Sequence, residues 1–430
     1  MTLPGYHDTM DISSQTSRFI AAHRNQDVRD LALSAKRVDG LDLPFALDQI
    51  AGWQTACRKL PQWAETDGIV YPPHISMEQC SSQLAAQYKA GIARRVAGAG
   101  GAMVDLTGGF GVDCSYIARG FSRAVYVERQ PHLCELAAHN FRALGLPHMD
   151  VINGDAEDWL RGVVDSRAAS ADSAAVDSAT AVPIALIYLD PARRDAHGGR
   201  TYAIADCTPD VLALKDRLLA VSPHVMVKLS PMLDWRKTVA DFNGSVGEVH
   251  IVSTGNECKE LLLLLGQGEG VPADDIPIHC VNFTGVPAPQ ALVFTRRQEK
   301  ERACPYTPQL KSYLYEPNAS VLKAGAFRSL SSLYKVEKLH PNSHLYTSDH
   351  FLPDFPGRKF RITSSCGFGK KEVKEMLAAE KKANLTVRNF PATVAELRKR
   401  LKLAEGGGTY LFATTLADEK KVLIRCQATG

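Results

Sequence analysis

Apolar positions recur at three- and four-residue spacing through Phe19, Ile20, Val28, Leu31 and Leu33, and again from Phe45 to Leu60. That period lays one apolar stripe along a helix. Pro61 and the run Tyr71-Pro72-Pro73 interrupt it. Ser76 with Gln79 three residues on has the form of a capping box and predicts a helix to about Ala97, ahead of Gly98–Gly101. Residues 12–98 therefore read as helical and 1–99 as an N-terminal helical module.

From Ala102 the rhythm changes to short apolar runs alternating with amphipathic stretches. Strands are predicted at 102–107, 124–128, 149–153, 184–189, 224–229, 247–253 and 257–265, with helices at 111–119, 131–144, 156–162, 209–221 and 233–242. Alternation of this kind calls for right-handed crossovers and a mostly parallel sheet. The last two strands are too close for a crossover and should pair antiparallel. The expectation is an α/β, seven-stranded Rossmann-like core over residues 100–270. Residues 163–182, rich in Ala, Ser and Asp, read as a flexible insertion within it. Further on, strand candidates stand at 278–282 and 291–295. Residues 357–430 predict a compact α+β unit, with strands at 360–363, 385–388, 410–415 and 422–426 and helices at 370–382 and 394–402.

Composition narrows the class. The 430 residues are 45% hydrophobic and 23% charged, and no apolar run reaches the roughly 18 residues of a membrane span. Met1–Asp11 lacks the basic-then-apolar pattern of a signal peptide, and the ten cysteines are scattered. A cytoplasmic protein with reduced thiols is expected, without a membrane partner. No Cys-x-x-Cys pair occurs, so no metal site is expected. The net charge of +3 is uninformative, but residues 358–402 hold thirteen Lys and Arg against four Glu, a local basic surface. The sequence carries no signal for an oligomeric state.

The most telling stretch is Val104-Asp105-Leu106-Thr107-Gly108-Gly109-Phe110-Gly111-Val112-Asp113, which leaves a strand and opens a helix. Glycines let the backbone turn tightly beside a ligand, and the helix start adds free N–H groups. A nicotinamide fingerprint would have Gly or Ala where Cys114 stands. Asp105 would repel a pyrophosphate but attract the ammonium and sulfonium of S-adenosylmethionine (SAM). Glu128 ends the second strand, 20 residues after Gly108, where a carboxylate grips ribose hydroxyls. Asp155 follows the third, where it could accept from an adenine amino group. Each has a plainer reading, as a turn, a helix-end charge or a cap. Together, at three successive strand ends, they resemble the site of class I SAM-dependent methyltransferases. The expected cofactor residues are Asp105, Thr107, Gly108, Gly109, Gly111, Asp113, Glu128, Arg129, Asp155 and Ala156.

The fourth strand ends Leu189-Asp190-Pro191-Ala192-Arg193-Arg194. In the enzymes resembled, an Asp/Asn-Pro-Pro-aromatic motif at this position holds an amine nucleophile. The resemblance thus implies a catalytic role for Asp190 and Pro191. The aromatic that would stack on a flipped base is absent, and Arg193 and Arg194 suit a phosphate or carboxylate instead. Lys228, ending the fifth strand, either reaches the pocket mouth or snorkels to solvent. Gly198-Gly199-Arg200 reads as a mobile lid segment. No Pro-Cys follows the fourth strand, which speaks against a covalent cysteine mechanism of the cytosine-C5 kind.

Val387-Arg388-Asn389-Phe390-Pro391, Leu397-Arg398-Lys399-Arg400-Leu401-Lys402 and Gly406-Gly407-Gly408-Thr409-Tyr410, with Lys59-Leu60-Pro61-Gln62-Trp63 and Tyr71-Pro72-Pro73, resemble a bacterial family of methyltransferase-like proteins. Its members join a ferredoxin-like segment and a C-terminal THUMP-like domain to the catalytic core. The resemblance places these at 275–325 and 355–430 and implies an RNA substrate, tRNA or rRNA, contacted by Arg193, Arg194, Lys228, Arg388, Arg398 and Lys399. Two alternatives stay open. One is a methyltransferase of proteins or small molecules. The other is a SAM-binding RNA module without catalysis.

Overall fold

A computed structural model describes residues 12–34, 38–98, 100–171, 182–193, 204–266, 270–286 and 288–429. The chain divides into two compact units, residues 1–247 with 262–270, and 248–261 with 271–430. Arg194, the Gly198–Arg200 segment and residues 172–181 of the expected insertion lie outside the described residues.

The first unit begins with the helices Ser14–His23, Val28–Ser34, Leu43–Lys59, Pro61–Ala64, His74–Gln79 and Gln83–Ala97. The single helix predicted from Ser76 is in fact two. Ser82, whose side chain accepts from Ala85 N, caps the second of them. Ser76 lies inside the first, and the chain is extended at Cys80 between them. The longer helix buries Ala85, Ala86, Ile92 and Ala93 along one stripe, and Lys89 with them.

Then come β1 (Ala102–Asp105), β2 (Arg123–Glu128), β3 (Met149–Asn153), β4 (Ile184–Leu189), the short β5 (Ala192–Arg193) and β6 (Cys207–Thr208), and β7 (His224–Leu229). β2–β3, β1–β2, β1–β4 and β4–β7 all pair in parallel. The order β7–β4–β1–β2–β3 reverses direction at β1, the switch point where open α/β sheets bind ligands. Met103, Val104, Ile187 and Val227 are wholly buried, as befits strands covered on both faces. The helix after β3 runs Ala156–Ala171, further than the predicted 156–162. The Ala-rich stretch read as an insertion extends the helix, because alanine is the best helix former.

The second unit holds β8 (Val246–Thr254) but for its first two residues, β9 (Glu257–Gly266) as far as Leu261, β10 (Ile278–Phe283) and β11 (Gln290–Phe294). β10 pairs parallel with β8 and antiparallel with β11, so the predicted edge hairpin carries two further strands. A separate seven-stranded sheet follows. It comprises β12 (Tyr313–Pro317), β13 (Glu337–Lys338), β14 (Tyr346–Ser348), β15 (Gly357–Cys366), β16 (Asn384–Arg388), β17 (Thr409–Thr415) and β18 (Lys421–Ala428). Alternation of side chains along β17 and β18 fills both faces. Phe412 and Ile424 join Leu314 and Phe360 on one side, and Leu411 and Leu423 join Leu385 and Leu397 on the other.

Candidate functional site

The turn after β1 can be built only with glycine. A Cβ on Gly108 would lie 2.2 Å from the Tyr126 ring. Gly111 has φ +82° and a Cβ there would meet Phe141 at 2.9 Å. Gly111 N–H bonds to Gly108 O, closing the turn, and the helix Val112–Ile117 starts directly after it. Glu128 ties this turn to β2. Its Oε2 accepts from Gly109 N at 3.0 Å and its Oε1 from Gln130 N at 2.9 Å. Each oxygen thus takes one backbone N–H and keeps a lone pair for a hydroxyl.

Asp105 is 1% exposed, and its Oδ1 accepts from Thr107 N at 2.9 Å. Burial pushes its carboxyl up to about 8, opposed by the Thr107 N–H and reinforced by the negative fields of Asp113 and Asp190. A cation placed beside it would remove that penalty. Thr107 also joins the ends of β1 and β4, since its Oγ1 accepts from Asp190 N at 2.6 Å.

Asp190 Oδ2 accepts from Lys228 Nζ at 2.6 Å. Its side chain is 42% exposed, whereas that of Lys228 is 13% exposed. Lys228 therefore faces inward rather than snorkelling, and its Nζ also lies 3.9 Å from Asp113 Oδ2. The backbone after Pro191 folds back, β5 pairing antiparallel with β6.

Asp113 is an expected cofactor contact, but its carboxylate is taken up by the protein. Ser81 Oγ and Tyr188 Oη donate to Oδ2 at 2.8 and 2.7 Å, and Lys89 Nζ stands 3.0 Å from Oδ1. Burial disfavours this carboxylate, yet Lys89 and Lys228 hold it below its ordinary range. Lys89 is fully buried and also donates to Ser81 Oγ at 2.9 Å. Sequence reasoning missed Lys89, Ser81 and Tyr188. The one available signal was a lysine standing in the apolar stripe of its helix.

The remaining expected residues differ in environment. Asp155 is exposed and its Oδ1 accepts from Glu157 N at 2.8 Å, so it does serve the helix start. Arg129 is exposed and Ala156 buried. In the second unit, Arg388 is held by the buried Glu316, its Nη2 lying 2.9 Å from Oε1, and Arg358 Nε donates to Oε2 at 2.6 Å. Arg388 is thus paired with Glu316, though its own side chain is 39% exposed. Arg398 donates to Ala383 O at 3.3 Å, whereas Lys399 is exposed. So are Lys370, Lys371, Lys374, Lys381 and Lys382.

A glycine turn at the switch point, with carboxylates at adjacent strand ends, defines the Rossmann-like fold of SAM-dependent methyltransferases, here followed by a THUMP-like domain. Family profiles match a ferredoxin-like domain at residues 313–356 and a THUMP-like domain at 357–428. The first overlaps the expected 275–325 only in its opening residues. A candidate methyltransferase from Porphyromonas gingivalis W83, known from a crystal structure, is 33% identical, with a TM-score of 0.81 over 97% of this chain and 98% of that one. The chain belongs to the family of that protein. Slighter likenesses include an rRNA methylase from Streptococcus thermophilus, 12% identical over 42% of this chain and 96% of that one, TM-score 0.30. Another is TrmK of M. capricolum with S-adenosylhomocysteine, 7% identical over 43% of this chain and 69% of that one, TM-score 0.30. These two are too slight for anything to be carried over. No curated protein matches the sequence. Among the described residues no helix is long and apolar enough to cross a membrane.

Proposed function

We propose that the protein transfers a methyl group from SAM to structured RNA, tRNA or rRNA. The observation that carries this reading is Asp190, fixed by Thr107 and Lys228 at one strand end, next to the Asp105 glycine turn at the neighbouring one. SAM supplies a methyl group on a sulfonium, open to direct displacement. In this reading Asp105 faces the ammonium group, and Glu128 accepts from the ribose hydroxyls. Asp155, at the third strand end, accepts from the adenine amino group, with Arg129 and Ala156 beside these groups. Gly108, Gly109 and Gly111 bring the backbone close.

Asp190 accepts a hydrogen bond from the substrate amine and aims its lone pair. Because Lys228 holds the Asp190 carboxylate in place, orientation of the amine is its contribution. The proton lost by the amine passes through this partly exposed carboxylate to water. Pro191 fixes the backbone after it, and Arg193 and Arg194 suit a phosphate. The exposed lysines around the THUMP-like helices, Lys399 among them, suit the phosphates of a folded RNA.

The test is transfer from labelled SAM onto total RNA of cells lacking the gene, followed by nucleoside mass spectrometry. One methylated nucleoside is expected. Label that survives RNase and follows protein or small molecules would replace the RNA reading. SAM binding without transfer to any fraction would leave a non-catalytic binder.

Asp105 makes the binding step pH-dependent. Its folded-state pKa lies above that of an unfolded carboxylate, so its contribution to folding falls as pH rises from about 4 towards 8. A bound cation favours the ionised form, so ligand binding releases the proton. Affinity for S-adenosylhomocysteine, which keeps the α-ammonium, should rise by up to about tenfold per pH unit and level off above about 8. Calorimetry across this range checks it, and Asp105→Asn should flatten the slope. A flat wild-type profile would remove Asp105 from the cation site.

A further inference from the structure

The second unit places three potential metal ligands together on one sheet face. His250 on β8 and His279 on β10 are direct partners in the parallel register, and Glu248 precedes His250 by two residues, hence on the same face. Glu248 Oε2 lies 3.1 Å from His250 Nε2 and 3.6 Å from His279 Nε2. All three ligand atoms fall within 4.8 Å of one another.

These spacings match a coordination shell. Donors about 2.0–2.1 Å from a tetrahedral zinc ion stand roughly 3.3–3.4 Å apart. The two imidazoles are stacked, with centroids 4.3 Å apart and planes 15° from parallel, so both rings must turn out of the stack before their Nε2 lone pairs converge on one ion. Two imidazoles and a carboxylate offer a divalent cation two nitrogen donors and one anionic oxygen. Their donor set is of the His₂Glu kind that suits zinc and neighbouring transition metals, not magnesium or calcium. His250 is only 2% exposed, but Glu248 and His279 are 18% and 25% exposed, which leaves a way in for the ion and a water.

We propose that Glu248, His250 and His279 bind one zinc-like divalent cation, with water completing the shell. His250 stands at the middle of β8 and Glu248 and His279 near the starts of their strands, whereas the ligands of open α/β sheets gather at carboxyl ends. The cation therefore braces β8 against β10. Nothing in this depends on the methyl-transfer reading. The expected absence of a metal rests on the missing Cys-x-x-Cys pattern, which ligands brought together by strand pairing do not need.

The test uses the full chain stripped with a chelator and titrated with Zn²⁺ by calorimetry, then with Co²⁺ by visible spectroscopy. One zinc per chain is expected, with a raised melting temperature and cobalt d–d bands free of thiolate charge transfer. His279→Ala and Glu248→Gln should each bind about a hundredfold more weakly while keeping the melting temperature of the metal-free wild type. The second variant preserves shape, so a folding defect in the first does not decide the matter. Wild-type affinity in Glu248→Gln, a thiolate band, or no binding by the wild type overturns the proposal.

Discussion

Asp190→Ala should lower methyl transfer by at least ~10²-fold while leaving S-adenosylhomocysteine binding near the wild-type level. The side chain removed is the partly exposed acceptor at the end of β4, and its backbone N–H bond to Thr107 survives the substitution. The cofactor residues at β1 and β2 keep their own partners, Thr107 N for Asp105 and Gly109 N for Glu128. Lys228→Met should act through Asp190 and lose less, since the carboxylate remains but is no longer held in place. As a positioning residue, Lys228 should depress kcat more than it raises KM for the RNA. Single-turnover kinetics with calorimetry separates these effects. If Asp190→Ala abolishes cofactor binding along with transfer, the division of labour between the two strand ends fails.

The largest effect on stability should come from Lys89→Met. Lys89 is fully buried, 3.0 Å from Asp113, and its loss takes from that buried carboxylate its nearer cation, leaving Lys228 at 3.9 Å. Breaking a buried pair from one side costs about 3–5 kcal/mol. In a unit of this size that corresponds to a fall in Tm of roughly 6–20 °C. Adding Asp113→Leu removes the buried charge and should recover much of the loss, because a buried pair replaced by apolar groups is often near neutral. Thermal unfolding of the three variants checks this. A single variant within about 1 kcal/mol of wild type, or a double variant no better than the single, would show that the pair does not hold the first unit together. Asp113 stands two residues after Gly111, so Lys89→Met should also weaken S-adenosylhomocysteine binding by loosening the glycine turn.

What the sequence by itself determined was local. β3, β4 and β7 have the predicted bounds, β4 and β7 because largely buried strands read as nearly unbroken apolar stretches closed by polar or turn residues. The glycine turn was legible for the same reason, since a positive φ at Gly111 is a demand that the residue meets alone. Local reading failed where two signals competed. Ser76 and Ser82 both offer a helix start, and only packing chose the second as a cap for Gln83–Ala97. The Ala-rich stretch after Trp159 had the composition of a linker and the propensity of a helix, and the helix prevailed as far as Ala171.

Tertiary structure alone decided which charges meet. Lys89 finds Asp113, Lys228 finds Asp190, and Glu316 captures Arg388, over sequence separations that no periodicity encodes. His250 and His279 become neighbours only because β10 pairs with β8 in one particular register, and a shift by one residue would turn His279 to the opposite face. Backbone conformation follows from each residue and its near neighbours. The partners of a buried charge follow from strand order and register, which the chain settles only when it closes its core.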